Sequence, residues 1–131
     1  MEVNFFLGDS MAFMQKEFLE NHEKVKSLLR KRVEKVRELK EETLTLLQME
    51  ADWRIQFNEI ILNTDFKGLY KKDNEQIRNA HIQEELTNEY DDLQLQKMTV
   101  KYLKMDISQI DKEIDIHDKI LTWITANTME E

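Results

Sequence analysis

The chain has 131 residues, with no proline, no cysteine, two glycines and 35% charged residues. So few turn-forming residues allow very few connections, and the prevalence of Glu, Lys, Leu, Gln, Met and Ile is that of long helices or coiled coil. A net charge of −8 argues against nucleic acid as a partner, the missing cysteines exclude disulfide and zinc-ribbon chemistry, and no apolar run approaches the roughly 18 residues of a membrane span.

Residues 1–9, "MEVNFFLGD", read as an apolar head without the basic region of a secretory signal. A cytoplasmic or nuclear location is expected. Asp9 and Ser10 follow Gly8 and offer a helix N-cap, so a first helix is predicted over residues 10–63. Steps of three and four from His22 give Val25, Leu29, Arg32, Val36, Leu39, Thr43, Leu46, Glu50, Trp53, Phe57 and Ile60, the spacing of a coiled-coil seam. Leu28, Leu44, Leu47 and Ile61 widen the stripe beyond a two-stranded contact, which implies more than one partner helix.

The stretch "TDFKGLYKKDN" interrupts the pattern, and residues 64–73 are expected to form a turn or kink. A second helix is predicted over 74–126, capped by Asp73 or Asn74, with 127–131 as a tail. Its seam reads Asn79, Ile82, Leu86, Glu89, Leu93, Gln96, Val100, Leu103, Ile107, Ile110, Ile114, His117, Leu121 and Ile124. Each helix would be about 80 Å long.

Two architectures fit this all-α pattern. In an antiparallel hairpin, His22 falls opposite His117 and Thr43 opposite Gln96. Those polar seam positions would set the register. The basic run Lys24, Lys26, Arg30, Lys31, Arg32, Lys35, Arg37 and Lys40 then faces Asp106, Asp111, Glu113, Asp115 and Asp118. The alternative is an extended rod in a larger assembly, since one interior glycine costs only about 1 kcal/mol. The clustered turn residues favour the hairpin.

Nothing in the pattern converges as catalysis requires, so no enzyme, cofactor or metal is predicted. "HIQEE" sets His81, Glu84 and Glu85 on one helical turn at a metal-ligand spacing, yet reads as a solvated face. "DIHDK" flanks His117 with carboxylates and reads as a seam position. The basic run pairs with the second helix or a partner subunit; as a binding surface it suits tubulin or another acidic protein. The hairpin brings Phe5, Phe6, Phe13 and Phe18 beside Leu121, Trp123 and Ile124. That is more apolar surface than two helices cover, and it reads as a partner interface.

The segment "KYLKMDISQIDKEIDIHDKILTWI" resembles the C-terminal coil of subunits of the augmin complex. In size and style the whole chain resembles the small coiled-coil subunits of the outer-kinetochore rod, without the β-rich segment those usually carry. The resemblance implies a non-enzymatic scaffold subunit of a spindle, kinetochore or microtubule-associated complex, with other coiled-coil chains as partners. A helical chaperone in the style of prefoldin or a tubulin-binding cofactor, and a vesicle-tethering subunit, are the alternatives.

Overall fold

A computed structural model describes the backbone of residues 2–129 and the side chains of residues 10–128. Among the described residues all regular structure is α-helical: α1 (Glu2–Asn63), α2 (Phe66–Tyr70), α3 (Glu75–Glu85) and α4 (Thr87–Met129). The fold is a helical hairpin in which α1 packs against α4. Two compact units divide it, the first made of residues 1–37 with 104–131, the second of residues 38–103.

In the second unit the reversal is built from two caps. Asp65 accepts a hydrogen bond from the Gly68 amide at 3.0 Å and starts α2. A Cβ at position 68 would overlap that carboxylate, so the glycine serves the cap rather than a positive φ. Lys71 takes the left-handed conformation, φ 62°, and its amide returns to the Lys67 carbonyl at 2.9 Å, an αL helix stop on a residue that carries a Cβ. Asn74 then caps α3, its Oδ1 accepting from the Ile77 amide at 2.9 Å. Asp73 holds Arg78 through two contacts of 2.6 and 2.8 Å. Phe66 and Ile82 are buried beneath this turn. The interruption therefore contains a short helix of its own, where the sequence predicts only a turn or kink.

The second helical segment is broken once, at Leu86. Thr87 donates its hydroxyl to the carbonyls of Gln83 and Glu84 at 3.0 and 2.8 Å, the backbonding that bends helices from within. Leu93, Val100 and Leu103 are buried along α4 in this unit. Gln96 Nε2 donates to the carbonyl and carboxylate of Glu42 at 2.9 and 2.6 Å, and Trp53 meets Tyr90 with ring centroids 5.7 Å apart.

In the first unit α4 buries Ile107, Ile110 and Ile124. Arg32 Nε donates to Asp111 Oδ1 at 2.6 Å, Lys35 lies 3.9 Å from Asp106, and His117 Nδ1 bonds Asn21 Oδ1 at 2.8 Å. The pairing thus runs antiparallel in each unit.

Four expectations need correction. Helix α1 runs unbroken through Gly8, Asp9 and Ser10, so no cap opens it there, and α4 continues helical through Met129. His22 and Leu29 are exposed, and Asn21 and Leu28 are covered in their place. Both polar matches fall one residue earlier on α1: His117 takes Asn21 instead of His22, and Gln96 takes Glu42 instead of Thr43. The reason is geometric. A straight helix drifts about 20° per heptad against a strict 3.5-residue repeat, so one stepwise count does not track the covered face along all of α1. Farther along, Lys35 with Val36, and Glu42 with Thr43, are covered in pairs.

Candidate docking surface at the apolar end of the first unit

In the first unit, Leu121 and Ile124 continue the α4 seam. Leu121 is half-buried and Ile124 only 4% exposed. One position away, Trp123 is 61% exposed. On α1, Phe13 is 64% exposed, Met11 and Leu19 are also open, and Phe18 lies flat on the His22 ring with centroids 5.9 Å apart. Phe5 and Phe6 lie outside the residues whose side chains are described. The predicted interface residues therefore divide by role: Leu121 and Ile124 belong to the hairpin, whereas Phe13, Phe18 and Trp123 are open to solvent.

The hydroxyl and amide donors around Trp123 bond back to carbonyls of α4. Thr122, Thr125 and Thr128 donate to the carbonyls of Asp118, Leu121 and Ile124 at 2.9, 2.8 and 2.7 Å. Asn127 donates to the Trp123 carbonyl at 2.8 Å. These donors are thus bonded within their own helix.

Asn21 lies deeper, 4% exposed. Its Nδ2 donates to the Glu17 carbonyl at 2.7 Å, and its Oδ1 faces His117 Nδ1. Both polar ends are satisfied, as burial demands. Asn21 was not singled out from sequence, although it sits at seam spacing before Val25 and Leu28; a count begun at His22 passes over it.

The basic run has two fates. Arg32 and Lys35 reach across to α4, and the Asp111 carboxylate raises the pKa of the Arg32 guanidinium above its ordinary value through their hydrogen bond. Lys26 meets only Glu23 on its own helix, at 3.5 Å. Lys24, Arg30, Lys31 and Arg37 are exposed; so, in the second unit, is Lys40. The 210 Å³ groove between the helices is lined by Lys31 and Lys35 on one side and Asp106 and Glu113 on the other. Opposite charges there neutralise each other, which leaves the groove no preference for an ion of either sign.

In the second unit, "HIQEE" does not converge on a metal. His81 packs edge-on against Phe66, with centroids 5.3 Å apart. Its Nδ1 lies 2.5 Å from the Tyr70 hydroxyl and its Nε2 is 3.2 Å from Glu85. Despite that distance, Nε2 is buried and makes no hydrogen bond among the described residues. Among the described residues no group of three His, Cys, Asp or Glu could hold a metal ion, and no helix is long and apolar enough to cross a membrane.

This unit also carries a second apolar row on α1. Leu44, Leu47, Ile55 and Leu62 are all exposed, away from the face that meets α4. Leu44 and Leu47 of the widened stripe read from the sequence lie in this row, whereas Leu28 and Ile61 are half-buried.

Comparison of the chain with protein-family models, with curated proteins and with solved structures finds no match.

Proposed function

We propose that this chain is a non-enzymatic coiled-coil scaffold subunit of a multi-protein helical assembly, of the spindle, kinetochore or microtubule-associated kind. The observation that carries the reading is Trp123, 61% exposed directly beside the buried Ile124. Large aromatic groups held open on a helix, with neighbouring polar groups tied inward, are typical anchors for a partner. The further open row Leu44, Leu47, Ile55 and Leu62 supports a role with more than one helical partner. Function would then come from a preformed helical frame whose seam polar residues and flanking charges select what binds.

The prefoldin-like alternative calls for a strand-forming segment between the long helices. Residues 66–70 are helical instead, which favours the scaffold.

The test is affinity purification of the intact chain, with identification of the chains recovered. Spindle or microtubule-associated coiled-coil proteins recovered in fixed ratio support the proposal. A chain that recovers only unfolded tubulin would point to the chaperone, and vesicle-coat or tethering proteins to the transport reading.

A further inference from the structure

The acidic partners that the basic run finds on α4 lie on its seam side, and Lys26 meets Glu23 on its own helix. Arg32 and Lys35 flank the seam and use Asp111 and Asp106. Asp115 is taken by Lys119 of its own helix at 2.9 Å. Away from the seam, Lys26, Arg30, Val33 and Arg37 follow one another in steps of four, three and four, and all are exposed. Such steps place them in one row along a helix. Val33 is 61% exposed and the neighbouring Leu29 47%. Arg30 and Arg37 have no ion-pair partner among the described residues.

We propose that this row, within the first unit, is a docking strip for an acidic amphipathic helix of a partner protein. Three cations frame two branched aliphatic side chains at a spacing that a second helix can match. The aliphatic pair would enter the partner's apolar stripe, and the cations would meet carboxylates on its flank. A nucleic-acid backbone would make no use of Leu29 and Val33. The carboxylates of Glu23 and Glu34 beside the row, and the net charge of −8, oppose a long polyanion. The strip is separate from the aromatic end around Trp123, so each stands or falls without the other.

Two synthetic peptides of about 28 residues provide the probe, each with four heptads and leucine at both core positions. One carries Glu and the other Lys at the flanking positions. Binding to the full chain is read by fluorescence anisotropy at low and high salt. The Glu peptide should bind at least about tenfold more tightly than the Lys peptide, an advantage that falls as salt rises. The paired reversal Arg30→Glu and Arg37→Glu should weaken the Glu peptide about tenfold or more, whereas Lys31→Glu, on the groove side, should change it less than about twofold. If the paired reversal lowers the helical signal, the pair Arg30→Gln and Arg37→Gln answers the same question without introducing new charge. Glu-peptide binding that survives these substitutions would overturn the proposal. So would phosphatidylserine vesicles or single-stranded RNA that compete as well as the peptide does, because the row would then be a general polyanion patch.

Discussion

Asn21 shows how much a single position decides. Its amide bridges the Glu17 carbonyl and His117, so Asn21→Ala leaves the imidazole facing a gap with a partner lost. A buried polar group stripped of its partner costs about 1–3 kcal/mol. Replacing Asn21 and His117 together by leucine removes the orphan, and the double variant should be more stable than Asn21→Ala. Urea unfolding of wild type and both variants checks this; equal losses would mean the pair does not couple. Lys71 is the second such position. It adopts φ 62° at the end of α2, a region where a Cβ costs about 1 kcal/mol or more. Lys71→Gly should therefore raise stability by about 1 kcal/mol, with a matching rise in thermal midpoint. The glycine at 68 differs: Gly68→Ala displaces the Asp65 carboxylate from its cap, a loss of about 1 kcal/mol offset by a helix-propensity gain of about the same size.

At the scale of elements, the join between α2 and α3 depends on a carboxylate. The hydrogen bond from Arg78 holds the Asp73 carboxyl below its ordinary value. A depressed carboxyl contributes stability above its unfolded value, about 3.9, and loses that contribution as pH falls through the folded value. Thermal melts of wild type and Asp73→Asn should therefore differ at neutral pH and converge as the pH falls through the depressed folded value. A difference that persists in acid would assign the effect to shape rather than charge. The break between α3 and α4 has its own cause in Thr87, whose hydroxyl occupies two carbonyls of the preceding turn.

For the whole molecule, the hairpin predicts contact within one chain. The chain has no cysteine, so Glu23→Cys and Asp118→Cys accept spin labels without background. Their proximity should survive dilution with unlabelled protein; loss on dilution would mean the pairing is between chains. At the apolar end, Trp123→Ala should leave the circular-dichroism signal of helix unchanged and weaken partner binding by roughly 30-fold, the range of a buried aromatic anchor. Ile124→Ala should do the reverse, lowering stability by about 2–5 kcal/mol, because Ile124 is sealed in the hairpin.

Composition and spacing alone determined the helical class, the place of the interruption and the buried face of the second helical segment. Ile82, Leu93, Val100, Leu103, Ile107, Ile110 and Ile124 stand at seam positions and are all buried. On this segment the 3,4 count and the covered face coincide, because its apolar residues crowd into one stripe. At the apolar end the spacing already separates Leu121 and Ile124, which fall on the seam, from Trp123, which does not; the tertiary structure adds how far each is covered. The exact partners of the polar seam residues also needed the tertiary structure. A shift of one residue on α1 changes the apolar pattern little, but it exchanges His22 for Asn21 and Thr43 for Glu42. Helical drift and side-chain reach decide between them, and neither is written in the spacing.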